Sequence, residues 1–138
     1  HSECVNSVAI SKSDQYIVSG SWDCTVRVWS LASGDLIRVL QGHGNIVNSV
    51  AISSEDQFVV SGSTDKTIRV WSLTSGLTTQ VLEGHTGFVL SISLSSDDKN
   101  LVSGSYGDYS VRVWDLSTGE QTQELKGHTS HVWSVNFI

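Results

Sequence analysis

The sequence predicts an all-β fold, made of one antiparallel unit written three times. The segment Ser61-Gly62-Ser63-Thr64-Asp65-Lys66-Thr67-Ile68-Arg69-Val70-Trp71 appears earlier at residues 19–29 and later at 103–114, where it is one residue longer at the turn. Each copy reads as strand, polar turn and second strand ending in Trp, since β-branched runs bounded by Gly, Ser and Asp favour hairpins. No window carries a helical apolar stripe. His1, His43, His85 and His128 lie 42, 42 and 43 residues apart, and residues 1–42 and 43–84 are identical at 26 of 42 positions, so the unit was duplicated.

Within the second unit the elements follow in order. Residues 47–53 (Val-Asn-Ser-Val-Ala-Ile-Ser) form a first strand, closed by the polar stretch Ser54-Glu55-Asp56-Gln57. Residues 58–63 form the second strand, and Thr64-Asp65-Lys66 turns the chain into a third at 67–73. Thr74-Ser75-Gly76 turns it again into a fourth at 78–82. Strands such as Val111-Arg112-Val113-Trp114-Asp115-Leu116 are apolar on both alternating faces and need cover on both, as sheets stacked face to face provide.

Four strands per unit, the pairs Gly42-His43, Gly84-His85 and Gly127-His128, and Trp114-Asp115 together resemble the WD-repeat family of β-propellers. The resemblance covers the whole chain and implies three four-stranded blades over residues 1–42, 43–84 and 85–127, with the first strand of a fourth at 128–138. Trp29-Ser30 and Trp71-Ser72 depart from the signature dipeptide, losing a carboxylate but keeping the Trp.

Composition narrows the function. Net charge is −6 and the eight Lys and Arg residues are scattered singly, which argues against nucleic acid as the partner. Arg27, Arg69 and Arg112 recur two residues before each Trp and read as a periodic edge feature. No apolar run has the ~18 residues a membrane span needs, and no signal segment leads the chain. Cys4 and Cys24 are too few for a disulfide framework and read as free thiols of a reducing compartment, cytoplasm or nucleus.

Ser, His and Asp in one unit invite comparison with a nucleophilic triad. The family resemblance implies instead structural hydrogen-bonded sets: His1-Ser19-Asp23-Trp29, His43-Ser61-Asp65-Trp71 and His85-Ser103-Asp108-Trp114. Groups of this kind, half buried where loop meets strand, need partners. Three copies also favour architecture over catalysis. His128 and His131 have no further ligand at metal spacing, no phosphate loop exists, and Asp97-Asp98 reads as a solvated turn in the position of Asp14-Gln15 and Asp56-Gln57. The expectation is no enzyme, no metal and no cofactor.

Proteins of the family commonly bind peptides and proteins on the top face, around the channel mouth. Carried onto this chain, the variable positions are Cys4, Asn6 and Trp22; Ile46, Asn48 and Thr64; Phe88, Leu90 and Gly107; and His131 with Trp133. Repeats 1 and 2 match across their strands yet differ at Cys4/Ile46 and Trp22/Thr64. With Tyr106, the residues Phe88, Leu90 and Trp133 gather an apolar surface of the kind interface hot spots favour. Leu90 and Trp133 have an alternative role in blade-to-blade packing, whereas Phe88 and Trp22 fall on loops or turns.

Propellers close with four to eight blades, so three leave a sheet face bare at each end, and seven blades of this period take about 290 residues. The chain therefore reads as part of a longer protein, with copies completing a ring as the second option. Function divides between an interaction scaffold and a regulatory or sensor segment of a larger signalling or enzyme protein.

Overall fold

A computed structural model describes all 138 residues: twelve strands in three four-stranded antiparallel sheets, and no helix. Blade 1 holds β1 (Val5–Ile10), β2 (Tyr16–Ser21), β3 (Thr25–Ser30) and β4 (Leu36–Gln41). Blade 2 holds β5 (Val47–Ile52), β6 (Phe58–Ser63), β7 (Ile68–Ser72) and β8 (Thr78–Leu82). Blade 3 holds β9 (Phe88–Leu94), β10 (Asn100–Tyr106), β11 (Val111–Asp115) and β12 (Glu120–Leu125). Each sheet is a meander in chain order.

Turn chemistry repeats with the strands. Asp14, Asp56 and Asp98 adopt φ of 55°, 55° and 57°, a left-handed conformation that Asp tolerates. Ser11, Ser53 and Ser95 brace these turns by accepting backbone N–H groups from Tyr16, Phe58 and Asn100. Asp98, and not Asp97, is therefore the counterpart of Asp14 and Asp56. Nor is it simply solvated: its carboxylate accepts the Ser54 backbone N–H and hydroxyl at 2.7 and 2.6 Å and ties blade 3 to blade 2. Arg38 does similar work between blades 1 and 2, donating to the carbonyls of Leu73, Thr74 and Ser75.

The core lies between blades. Val18, Val26, Val28 and Leu40 of blade 1 close on Val47, Val50, Val59, Trp71 and Leu73 of blade 2. The next seam repeats this with Val60, Ile68, Val70 and Leu82 against Val89, Ile92, Leu101 and Trp114. Gly20, Gly62 and Gly104 let the seams close, because a Cβ on each would lie 2.6–2.7 Å from the next unit's Val47, Val89 or Val132.

At the two ends the same residues stand open. Val5 and Val8 are 51 % and 66 % exposed, where their counterparts Val47 and Val50 are at 0 % and 7 %. Leu125 is 49 % exposed, where Leu40 and Leu82 are at 1 % and 2 %. A hollow of about 450 Å³ on blade 1, lined by Val5, Val8, Ile17 and Trp29, belongs to this bare face.

Residues 126–138 form no ladder, because no second strand lies beside them. They nonetheless dock like a first strand. The Val135 N–H donates to Ser91 Oγ at 3.1 Å, as Val50 N–H does to Ser7 Oγ at 3.1 Å and Ile92 N–H to Ser49 Oγ at 3.2 Å.

Two sequence expectations shift. Arg27, Arg69 and Arg112 stand on β3, β7 and β11, each hydrogen-bonded on both sides, so they are not an edge feature. Phe88 opens β9 instead of lying on a loop.

Candidate functional site

The recurrent polar residues meet at the top of each blade with nearly identical geometry. Trp29, Trp71 and Trp114 each donate Nε1–H to Ser19, Ser61 and Ser103 Oγ at 2.8 Å. The same hydroxyls lie 2.7, 2.8 and 2.7 Å from Nε2 of His1, His43 and His85. The opposite nitrogen, Nδ1, lies 2.9, 2.7 and 2.8 Å from Asp23, Asp65 and Asp108. These carboxylates also accept the backbone N–H of Ser2, Gly44 and Thr86, each at 3.0 Å.

Donor inventory fixes the protons. Trp only donates and the carboxylate only accepts, so a neutral imidazole carries its proton on Nδ1 and accepts the Ser hydroxyl hydrogen bond on Nε2. The hydroxyl is thereby hydrogen-bonded from both sides, and Ser19, Ser61 and Ser103 are all buried. The added Trp N–H bond and the threefold repetition suit bracing of each blade.

The charge states agree. Burial pushes the Asp65 carboxyl upward, but hydrogen bonds from His43 and Thr67 outweigh it and hold it well below the usual carboxylate range. Asp108 behaves likewise, with His85 and Ser110 overcoming burial. Burial pushes the His85 imidazole below its ordinary value, and the Asp108 hydrogen bond opposes this only in part. Both groups bind protons more weakly folded than unfolded, so both contribute stability that falls as pH falls. For His85 the contribution is complete above an unfolded value of about 6.5 and is lost as pH drops through its lower folded value. For Asp65 and Asp108 the loss begins below the unfolded value of about 4. Thermal midpoints measured from pH 8 to 3 are therefore expected to fall from about pH 6.5 and more steeply below about 4. A midpoint that rises from pH 7 to 5 would contradict this state.

The variable positions divide into two quadrants. Over blades 1 and 2 the groups are spent on one another. Trp22 Nε1–H donates to Asn6 Oδ1 at 2.9 Å, Asn6 Nδ2 to Asn48 Oδ1 at 3.4 Å, and Asn48 Nδ2 to Thr64 Oγ1 and the Val89 carbonyl, both at 2.9 Å. Cys4 and Ile46 serve through their carbonyls, which accept the Trp22 and Thr64 N–H groups at 2.9 Å. Cys4 and Cys24 are free thiols, and burial followed by the charges of Glu3, Asp23 and Asp65 pushes the Cys24 thiol up.

Over blade 3 and the tail the residues are aromatic. Phe88 stacks near-parallel to Tyr106 with ring centroids 5.6 Å apart, and His131 stacks on Tyr106 at 3.5 Å. Trp133 stands edge-on to Tyr106 at 6.3 Å and 77°. Phe88, Tyr106 and Trp133 are exposed, Trp133 at 69 %. Leu90 is half buried on β9, and Gly107 sits in the turn with φ of 108°. No three His, Cys, Asp or Glu side chains converge as metal ligands.

A family model described as WD domain, G-beta repeat matches residues 1–30, 34–72 and 76–115. The chain belongs to the WD-repeat family. Its relatives include a probable E3 ubiquitin ligase complex SCF subunit, sconB, of Talaromyces stipitatus, 44 % identical over 43 residues. They also include the ribosome biogenesis protein bop1 of Danio rerio, 41 % identical over 46 residues, and the general transcriptional corepressor TUP1 of Saccharomyces cerevisiae, 47 % identical over 45. Each alignment takes in 31–33 % of this chain, about one repeat, and 6 % of the relative.

Tyr109 is the residue that sequence reasoning missed among these WD-repeat blades. It lies 5.4 Å from His131 with φ of 57°, the counterpart of Cys24 and Lys66 at 64° and 74°. The inserted residue of the third turn was the signal available for it.

Proposed function

We propose that the chain is a non-catalytic scaffold that binds a peptide or protein on its top face, with Phe88, Leu90, Tyr106 and Trp133 as the contact surface. One observation carries this: the exposed aromatic side chains of Phe88, Tyr106 and Trp133 cluster at one corner of blade 3 and the tail. His131 and Gly107 shape the same corner. Cys4, Asn6, Trp22, Ile46, Asn48 and Thr64 form its flank and contribute shape more than free hydrogen bonds. The three Ser-His-Asp-Trp sets hold the surface in place and perform no chemistry.

The names of the relatives support a role within assemblies, in the nucleus or cytoplasm, since one is a ligase-complex subunit and another a corepressor. The bare faces of blades 1 and 3 support the architectural half of the reading, that these three repeats are a segment of a larger propeller. A second reading, a sensor segment of a larger signalling or enzyme protein, draws on the small share of each relative that the chain matches. Its catalytic domain lies outside these residues.

Selection of displayed random peptides against the chain, with counter-selection on the Tyr106→Ala/Trp133→Ala variant, tests the surface. Recovered peptides are expected to bind the unaltered chain at least about tenfold more tightly than the variant, the scale of one hot spot. Recovery of binders indifferent to both substitutions would overturn the assignment.

A further inference from the structure

Blade 3 departs from its own repeat at one corner. In blades 1 and 2 the first hairpin ladder starts at the pairs Val5–Ser21 and Val47–Ser63, beyond which a single N–H bond joins Trp22 to the Cys4 carbonyl and Thr64 to that of Ile46; in blade 3 the ladder itself runs one pair further, to Phe88–Tyr106. Gly87 makes the rung possible, because a Cβ there would lie 2.0 Å from the Tyr106 carbonyl oxygen. Glu3 and Asn45 occupy that position in the other repeats. The corner also carries a local cost. Ser21 and Ser63 hydroxyls donate to the carbonyls of Glu3 and Asn45, whereas Ser105 Oγ and His131 Nδ1 are buried without a partner. A repeat that breaks its own rule at such a cost marks function more than architecture.

The rebuilt corner is an aromatic angle. Phe88, Tyr106 and His131 stack nearly parallel, at 12° and 14°, and Trp133 stands at 77° to Tyr106 and 89° to His131. Phe88 and Tyr106 are 39 % and 38 % exposed and Trp133 is 69 % exposed, so Trp133 is the ring solvent meets most. No Lys or Arg occurs in residues 85–90, 105–110 or 128–134, and the chain carries a net charge of −6. π faces without a resident cation, on an acidic chain, favour a positively charged guest.

Resting on the proposed top-face reading, we infer that this corner takes an arginine side chain of a basic peptide, its guanidinium flat on the Trp133 indole and its stem against Phe88. The planar, weakly hydrated guanidinium stacks on an aromatic face where a compact ammonium keeps its water. The polar ladder of Asn6, Asn48 and Thr64 offers that charge no competing carboxylate.

Three heptapeptides, alike except for a central arginine, citrulline or norleucine, provide the test, followed by the NMR shift of the Trp133 indole N–H. Citrulline keeps the shape of arginine and loses its charge. The arginine peptide is expected to bind about three- to tenfold more tightly than the citrulline peptide. Trp133→Leu, at an exposed position, should abolish that difference without lowering the thermal midpoint, and Trp133→Tyr should keep most of it. Equal binding of arginine and citrulline, a difference that survives Trp133→Leu, or no peptide binding at all would overturn the inference. Preference for norleucine, alongside patch-dependent peptides from the display selection, would sink the arginine assignment and leave the scaffold reading standing. A selection with no patch-dependent binders would remove both.

Discussion

Replacing Trp71 by Ala is expected to destabilise the chain by about 3–5 kcal/mol, the range for deleting a buried aromatic side chain. Trp71 is sealed in the seam between blades 1 and 2, packs edge-on to His43 at 5.9 Å and holds the Ser61 hydroxyl. The counterpart substitution Trp29→Ala removes the same atoms from the same repeat position. Trp29 is only half buried and lines the open hollow of blade 1, so its loss leaves little new cavity. Its cost is expected to be well under half that of Trp71→Ala. Urea unfolding of the two variants measures this directly. Equal losses would mean that the seam contributes little and that each blade is stable by itself.

Ser61→Ala should cost about 2–4 kcal/mol while removing a single oxygen. That oxygen serves Trp71 Nε1–H and His43 Nε2 at once, at 2.8 Å each, and nothing else lies in place to serve either. Stranding a buried polar group costs about 1–3 kcal/mol, and here two are stranded together. A thermal midpoint shared with the unaltered chain would show that water reaches the cluster. Ser61→Thr would then separate volume from hydrogen bonding, since it restores the hydroxyl and adds only a methyl group.

Much of this was legible from residue spacing. The Gly-His pairs, the Ser-Gly-Ser hairpins and the terminal Trp of each third strand are local patterns, and repetition three times removes the ambiguity that a single short strand carries. What stayed hidden is non-local. Arg112 looks like a surface charge, yet it is buried between Gln121 and Glu124, at 2.6 and 3.0 Å, because β12 brings those two beside it. Asn48 and Thr64 read as variable positions facing a partner, and only the fold shows that the Asn48 amide donates to Thr64 Oγ1 and to the Val89 carbonyl of the next blade. Tyr109 depends on a left-handed turn residue, which no periodicity announces. Phe88 fell outside the expected strand because a rung was added to its ladder in one repeat of three, and the permissive residue, Gly87, lies before it.

The central claim is that scaffold and site are separable: the Ser-His-Asp-Trp sets fix the blades, and the aromatic corner of blade 3 and the tail meets the partner. The most direct measurement is the affinity of one display-selected peptide, taken together with the thermal midpoint, for Ser61→Ala and for Trp133→Ala. Trp133→Ala is expected to weaken binding about tenfold or more at an unchanged midpoint, while Ser61→Ala lowers the midpoint and leaves affinity at lower temperature intact. Loss of affinity in Ser61→Ala while the chain is still folded, with Trp133→Ala binding normally, would contradict the claim and move the partner surface away from this corner.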